Sequence, residues 1–377
     1  MNITIAAAGL PTDKYPSFGN FEYDLAKALL AAGHKVTYLN FDIRSFRIKR
    51  RIGVYKEINE GVPTYTISLP LGARLDFTPM LQRLARYMFS KIEKEQGPQD
   101  IINAHFYTVG AICATIPLHS NVKLVVTEHS SHLNKEVSAI RARSMKLARE
   151  AYKNAAEVIA VSDVLASRLS ENFNVKAHVI GNMVNVQTFS RVTKKEHSGF
   201  NLICVGRFED VKRIEALIET MSLVVNENRG AKICLNIFGD GPDRALIERL
   251  IQEKNLTANI KLLGERPQKT IAQFLEISDV FVLLSDSETF GVSYAEAICA
   301  GVPVIATRCG GPESFVNSRN GILVSKENRV REAADAINEM INGKLSFTAD
   351  SVKSTSEIFF PEHIVTQLET QFNHALH

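Results

Sequence analysis

The chain is organised around residues 279–305, DVFVLLSDSETFGVSYAEAICAGVPVI. The first six residues form a short apolar run, which predicts a buried parallel strand. The polar residues after it predict a loop at the carboxyl end of that strand, and a helix of small residues follows Gly291. Gly301 ends this helix, and residues 302–305 open the next strand. In an open α/β sheet such a loop binds ligands, and the free N–H groups of the helix start attract phosphate.

Two carboxylates flank this predicted phosphate site. Glu288 lies in the loop, and Glu296 lies about one turn into the helix. Each carboxylate can accept hydrogen bonds from hydroxyl groups, as a sugar or a ribose requires. The arrangement therefore predicts a nucleotide sugar, while a helix with ordinary acidic residues near its start remains the alternative.

Length and composition limit the class of protein. A chain of 377 residues is too long for one compact core and fits two domains. Hydrophobic residues make up 45% and charged residues 23%, as in soluble globular proteins. No apolar run approaches the ~18 residues that span a bilayer. The N-terminus has no basic residue before its apolar part, so it predicts a first strand and no signal peptide.

Cysteine usage indicates the redox compartment. The five cysteines lack any Cys-x-x-Cys spacing and lie at Cys113, Cys204, Cys234, Cys299 and Cys309. Scattered cysteines within apolar runs are typical of reduced core residues in a cytosolic protein, not of disulfides or metal ligands.

Charge is distributed unevenly between the two halves. Residues 1–185 contain 23 Lys and Arg against 16 Asp and Glu, whereas the remainder contains 21 against 25. Much of the basic excess lies in residues 44–51, with Phe46 interleaved, and in residues 135–149. This pattern predicts a basic face for anionic lipid or an acidic acceptor, with a solvated surface as the alternative. Nucleic acid is disfavoured because no recognition motif accompanies the charge.

Strand and helix signals alternate along the chain. Residues 3–8, 21–32 and 34–39 predict a strand, a helix and a second strand, the start of a Rossmann-like half. Gly19, just before the helix, would let the backbone approach a phosphate closely, although a plain loop glycine is the alternative. The α/β pattern restarts at residue 201.

Other segments are expected to be less regular or to connect the halves. Residues 44–78 predict irregular chain with one strand at 64–69. A helix is predicted over residues 138–155, and residues 186–199 are interpreted as a linker.

Two cations follow the first strand of the second half. Arg207 and Lys212 lie between the end of a strand and the start of a helix. Arg can bind a diphosphate as a bidentate fork and Lys can bind it as a point charge. An exposed loop of ion pairs is the alternative.

Histidines follow two strands of the first half. We expect His129 to be exposed at the end of the strand over residues 123–127, a position suited to proton or hydroxyl chemistry near neutral pH. His105 and His132 are expected to be structural or to contact an acceptor. Zinc bound by these three is disfavoured because no single element fixes their spacing.

The spacing of Glu288, Phe290-Gly291 and Glu296, followed by Gly-Val-Pro-Val-Ile at residues 301–305, resembles the signature of the family 4 retaining glycosyltransferases. The resemblance covers nearly the whole chain and is strongest over residues 201–325. It implies the GT-B fold, an α/β fold in which two Rossmann-like domains face each other across a cleft.

The resemblance also implies a division of labour between domains. Residues 1–185 would bind the acceptor, and a last helix within residues 361–377 would pack back onto them. Residues 200–360 would bind the nucleotide sugar. This sequence departs from the family pattern at Asn20 and Arg213, where glycine is common, and in the segment that joins the domains.

The family implies transfer of a hexose-type sugar, expected from a UDP-sugar, with retention at the anomeric carbon. In this family, retention is usually explained by attack of the acceptor on the front face of the sugar, with the diphosphate accepting the acceptor's proton. The implied catalytic residues are His129, Glu288, Arg207 and Lys212. The implied donor-binding residues are Gly19, Arg207, Lys212, Gly239, Arg266, Glu288, Thr289, Phe290, Gly291, Val292 and Glu296.

Cofactor, acceptor and location follow as expectations. No Asp-x-Asp occurs, so we expect no essential divalent ion and no cofactor beyond the donor substrate. The acceptor is expected to be a glycan or lipid-linked molecule of surface polysaccharide or glycolipid synthesis. We expect a cytoplasmic protein, with peripheral attachment to the inner face of the plasma membrane through the basic half.

Two other functions stay open at this point. A sugar-nucleotide epimerase shares the fold, and a non-catalytic nucleotide-sugar-binding component of a membrane complex would keep the same site. A Rossmann dehydrogenase is disfavoured because no Gly-x-Gly-x-x-Gly follows the first strand.

Overall fold

The computed structural model describes residues 1–12, 18–45, 47–71 and 77–377. The chain divides into two compact units. Residues 1–183 and 361–377 form the first unit, and residues 184–360 form the second.

The first unit is built on a sheet that has eight strands among the described residues. These strands are β1 (Asn2–Ala7), β2 (Lys35–Asp42), β3 (Gly53–Asn59), β4 (Val62–Ser68), β5 (Ile101–His105), β6 (Lys123–Glu128), β7 (Glu157–Ala160) and β8 (His178–Val179). Their order is β3-β4-β2-β1-β5-β6-β7-β8, and every pair except β3–β4 is parallel. The order reverses between β1 and β5, so the loops after these two strands diverge at the carboxyl edge.

The second unit contains a parallel sheet with six strands in the part of the chain that is described. These strands are β9 (Phe200–Val205), β10 (Ile233–Phe238), β11 (Ile260–Gly264), β12 (Val280–Leu283), β13 (Val304–Thr307) and β14 (Gly321–Val324). Their order is β11-β10-β9-β12-β13-β14, which reverses between β9 and β12. Strand β12 is fully buried, as its continuous apolar sequence predicts for a strand covered on both faces.

Helices connect the strands in both units. They are α1 (Asn20–Ala31), α2 (Thr78–Gln96), α3 (Phe106–Cys113), α4 (Ala142–Lys153), α5 (Asp163–Phe173), α6 (Val186–Phe189), α7 (Ile214–Glu227), α8 (Arg244–Glu253), α9 (Gln268–Leu275), α10 (Val292–Cys299), α11 (Arg329–Ile341), α12 (Ala349–Lys353) and α13 (Pro361–Leu376). Short 3-10 helices lie at Val137–Ala139, Asp210–Lys212, Gly311–Ser314 and Glu357–Phe359. Of the described helices, none combines the length and the apolar character needed to cross a membrane.

One part of the core of the first unit lies between the sheet and helices α1 and α13. Leu25 and Leu29 of α1 pack in one buried cluster with Leu368 and Phe372 of α13. Each pair is separated by four residues, so its side chains project from one face of a helix. The last helix is therefore an integral part of the first unit.

The hairpin β3–β4 differs from the irregular chain that the sequence predicts. Its strands pair antiparallel from Gly53 opposite Ser68 to Asn59 opposite Val62. The turn residues Glu60 and Gly61 both have positive φ, 45° and 85°, as in a two-residue hairpin turn. The sequence conceals this turn because Glu is rare at such a position and the apolar residues of β3 are exposed, without a buried alternating face.

Two further segments also differ from the prediction. Residues 186–199, interpreted as a linker, include α6, and Phe189 and Val192 are buried in the second unit. The helix predicted over residues 138–155 begins only at Ala142, because Ile140 and Arg141 have extended backbone.

Candidate functional site

The loops after β9 and β12 meet at the carboxyl edge of the second sheet. Lys212 Nζ donates to Oε1 and Oε2 of Glu288 at 2.8 and 2.9 Å. Ser285 Oγ donates to Glu288 Oε1 at 2.7 Å. The Glu288 side chain is 9% exposed and that of Lys212 is 23% exposed. The fold thus joins a predicted cation and a predicted carboxylate directly, in a partly buried pair.

Helix α10 starts beside this pair. Gly291 precedes the helix with a φ of 92°, and a Cβ there would lie 2.6 Å from the ring of Tyr294. A Cβ at Gly311 would lie 2.4 Å from backbone atoms of Phe290, so the two loops pack backbone to backbone. The first N–H groups of a helix have no partner within the helix, which makes this end suitable for an anion.

Glu296 is held by a residue that the sequence analysis missed. Its carboxylate is buried, and Gln268 Nε2 donates to its Oε1 at 3.0 Å. Asn185 Nδ2 in turn donates to Gln268 Oε1 at 3.3 Å. Gln268 is the first residue of α9, and its only sequence signal is its position two residues after Arg266, which is exposed. These contacts fix the orientation of the Glu296 carboxylate.

Arg207 has an ion-pair partner outside the Lys212–Glu288 pair. Its side chain is 61% exposed and forms an ion pair with Glu209. The two predicted diphosphate cations therefore have different partners, Glu209 for Arg207 and Glu288 for Lys212. Thr289 and Val292 are half-buried at the same edge of the sheet.

Two of the glycines predicted to bind the donor are required by packing of the protein itself. A Cβ at Gly239, which has a φ of 139°, would lie 1.9 Å from the carbonyl oxygen of Gly206. A Cβ at Gly19, with a φ of 75°, would lie 2.4 Å from the carbonyl carbon of Gly9. Both glycines let two backbone segments approach closely.

The first unit brings His129 and the start of α1 together. The expectation that His129 is exposed is wrong, because the residue is only 8% exposed. The Nε2 atom of His129 lies 3.0 Å from Nδ1 of His105. The centroids of the His129 and Phe21 rings are 4.8 Å apart. The sequence could not show this burial, which depends on the packing of α1 over the ends of β5 and β6.

The protonation state of the two histidines follows from their surroundings. Burial lowers the pKa of His105 to about 3. Burial, with His105 as a neighbour, lowers the pKa of His129 well below its ordinary value of 6.5. Both imidazoles are therefore neutral at pH 7, and one ring donates the shared hydrogen bond to the other. They line a small cavity of about 20 Å³ in the first unit, together with Phe21 and Thr127.

Glu128 anchors the backbone that carries His129. The carboxylate is fully buried and accepts hydrogen bonds from the backbone N–H groups of Tyr107, His129 and Ser130 at 2.8–3.0 Å. Tyr152 Oη also donates to it, at 2.7 Å. Burial raises the pKa of Glu128, whereas these four donors favour its ionised form. No pattern in the sequence predicts a role for Glu128, although it directly precedes His129.

The predicted basic face is only partly on the surface. The side chain of Arg50 is 8% exposed and donates to backbone carbonyl oxygens, among them those of Arg44 and Leu69. Phe46 lies outside the described residues. The exposed cations of the second basic segment are Lys135, Arg141, Arg143, Lys146 and Arg149. This second segment therefore supplies a basic surface in the described part of the first unit.

Arg213 occupies the position where the family pattern has glycine. Its φ and ψ are 50° and 43°, in the left-handed region that costs a non-glycine residue about 1 kcal/mol. Its guanidinium pairs with Asp210, Glu215 and Asp286. The ion pairs explain how an arginine is retained in a backbone conformation that favours glycine.

Arg213→Gly is expected to change the free energy of unfolding by less than about 1 kcal/mol, because relief of backbone strain offsets the lost ion pairs. Arg329 still pairs with Asp286 in this variant. Arg213→Ala, the control, loses the same pairs and keeps the strain, so it should be less stable than Arg213→Gly by about 1 kcal/mol. Urea denaturation measures both values. Equal stability of the two variants would show that the left-handed backbone at residue 213 is not strained.

Comparisons with known proteins identify what this chain is similar to. The family model described as Glycosyl transferases group 1 matches residues 185–355, and that described as Glycosyltransferase Family 4 matches residues 19–188. N-acetyl-alpha-D-glucosaminyl L-malate synthase of Bacillus anthracis is 27% identical, over 96% of each chain. The putative teichuronic acid biosynthesis glycosyltransferase TuaC of Bacillus subtilis is 26% identical, over 80% of this chain and 75% of the relative.

A solved structure of the Anabaena protein HepE, in complex with UDP and glucose, resembles this fold. The match has a TM-score of 0.76 and 18% sequence identity, and it covers 99% of each chain. At this identity the likeness concerns the fold alone. It confirms the predicted fold class, in which two α/β domains each contain a largely parallel sheet.

Proposed function

This chain belongs to the family 4 glycosyltransferases and has their GT-B fold, and from that premise we propose that it transfers a sugar from a UDP-sugar with retention at the anomeric carbon. The proposal is carried by the Lys212–Glu288 pair beside the start of α10. A cation and a helix start suit a diphosphate, and a carboxylate suits the hydroxyl groups of a sugar.

Lys212 can serve the donor without leaving Glu288. An ammonium group has three N–H donors, and Glu288 accepts from Lys212 at two oxygens. The remaining N–H is available to a phosphate oxygen. In this proposal Lys212, Arg207 and the first N–H groups of α10 stabilise the charge that develops on the leaving diphosphate. Glu288 accepts from sugar hydroxyls, and Glu296 accepts from the ribose.

His129 takes a hydrogen-bonding role in the proposal. Its lowered pKa makes it neutral at pH 7, so it is a poor general acid for the leaving group. Its nitrogen that does not contact His105 would hold a sugar hydroxyl. The bond from the anomeric carbon to the diphosphate breaks as the acceptor oxygen bonds to that carbon, and the acceptor's proton passes to the diphosphate.

We propose an acidic acceptor, either a glycan or a lipid-linked molecule of surface polysaccharide or glycolipid synthesis. The exposed cations of residues 135–149 support this class of acceptor and peripheral attachment to the cytoplasmic face of a membrane. The names of the two relatives contain malate and teichuronic acid, which are both acidic. A small dicarboxylate therefore belongs among the acceptors to be tested.

Calorimetric titration with UDP-, GDP- and ADP-sugars tests the donor site. One UDP-sugar is expected to bind, and Glu296→Ala should weaken it at least about tenfold, because the ribose loses hydrogen bonds to a charged group. Glu253→Ala on the exposed end of α8 is the matched control and should bind normally. Affinity should be unchanged in a chelator, since no divalent ion is proposed for the donor.

Three results would count against the proposal. Absence of binding by every sugar nucleotide of the panel would contradict the proposed donor site. Turnover of a sugar nucleotide to its epimer without acceptor would indicate an epimerase. Tight donor binding without transfer to any acidic acceptor would favour the non-catalytic binding component.

A further inference from the structure

A cluster of two histidines and a carboxylate lies beside β8, the last strand in the order of the first sheet. Glu157 is the first residue of β7, His178 is the first residue of β8, and His374 lies in the last turn of α13. One ligand atom of each residue lies within 4.8 Å of the other two. None of these three residues lines the cavity that His129 lines, so this cluster is separate from the proposed transfer site.

We propose that Glu157, His178 and His374 form a binding site for a divalent transition-metal ion, with zinc as the best fit. Two imidazole nitrogens and one carboxylate are a common ligand set for zinc with three protein ligands. Magnesium and calcium prefer oxygen ligands throughout, so they fit this set poorly.

The distances are close to those of a tetrahedral zinc site. Ligand atoms about 2.1 Å from a tetrahedral ion lie about 3.4 Å from one another. His178 Nε2 already lies 3.3 Å from Glu157 Oε2, and His374 Nδ1 lies 4.0 Å from Glu157 Oε1. The His374 side chain is 67% exposed, so it is free to rotate the short distance that closes the site.

An adjoining cavity supplies a second, independent observation. His178 lines an open cavity of about 200 Å³ together with Gln367, Thr370 and Gln371 of α13. Gln371 Oε1 is buried and has no hydrogen-bond partner among the described residues. A zinc ion with three protein ligands keeps a fourth position for water. In this cavity such a water would donate to Gln371 Oε1 and satisfy the unpaired oxygen.

The metal would act on the structure of the first unit. It would join the last turn of α13 to the starts of β7 and β8. Helix α13 contributes Leu368 and Phe372 to the core of this unit, so a bound ion stabilises an element on which the core depends. The site supplies no group to the proposed reaction and is compatible with transfer that needs no metal.

The experiment uses the full chain after removal of metals by a chelator and dialysis. Calorimetry with zinc chloride should give one tight site per chain. Zinc at about 100 times its dissociation constant should raise the melting temperature on the order of 5 °C. His374→Ala should weaken zinc binding at least about 100-fold and abolish the rise.

His363→Ala is the matched control, since it removes another exposed histidine of α13 and should keep both responses. Glu157→Gln preserves the shape of the site and should also lose tight zinc binding. Because Glu157 lies in β7, this loss could not be attributed to a disturbed α13, as it could be in His374→Ala. Absence of a tight site in the wild-type chain would overturn the proposal. The same zinc response in wild type and His374→Ala would overturn it as well.

Discussion

Lys212→Met is expected to lower the kcat/KM of sugar transfer by about 10³-fold or more, because the leaving diphosphate loses a positioned charge. The same change removes the cation from a carboxylate that is only 9% exposed. Loss of one partner from a buried pair costs 3–5 kcal/mol, and the partial exposure of Lys212 reduces this to about 2–3 kcal/mol. Steady-state kinetics and urea denaturation measure the two effects.

A double variant separates the two effects. Lys212→Met combined with Glu288→Gln leaves no unpaired charge, and Ser285 can still donate to the amide oxygen. Most of the stability should return, whereas activity should stay low. Lys195→Met is the control, since it removes an exposed lysine from a surface pair in the same unit and should change neither quantity. Activity of Lys212→Met within threefold of wild type, as a rough limit, would refute the role of this lysine in transfer.

Glu22→Gln is expected to stabilise the protein by about 3 kcal/mol at pH 8 and to have little effect at pH 4. Glu22 lies in α1, is 3% exposed, and its Oε2 has no hydrogen-bond partner among the described residues. Burial raises its pKa from 4.5 to about 7. Because this folded-state pKa is higher than that of the unfolded chain, its contribution to stability is present below pH 4.5 and is lost as the pH rises to about 7.

The comparison between wild type and variant isolates Glu22. The buried His105 and His129 have lowered pKa values, and they destabilise the folded state as the pH falls below 6.5, in the opposite direction. They contribute equally to both proteins and cancel in the difference. Asp24→Asn is the control on the same helix, since Asp24 pairs with Lys27. Parallel stability curves for wild type and Glu22→Gln between pH 4 and pH 8 would contradict the prediction.

Local signals in the sequence predict much of the second unit. The strand and helix expected within residues 279–300 are confirmed as β12 and α10. The Glu-Phe-Gly-Glu spacing is also local, and it leads to the family. The hairpin β3–β4 is missed because its turn residue Glu60 adopts a conformation that its type disfavours.

The sequence by itself determined the fold class, the family and the residue types at the carboxyl edge of the second sheet. The reason is that apolar periodicity, caps and motif spacing act over a few neighbouring residues. Only the tertiary structure decided which of these residues meet. Lys212 and Glu288 are 76 residues apart and pair because β9 lies next to β12. His129 is buried because α1 covers it, and Glu157 meets His374 because the last helix packs on the first sheet. Strand order and helix packing are set by the whole core, and no short stretch of sequence encodes them.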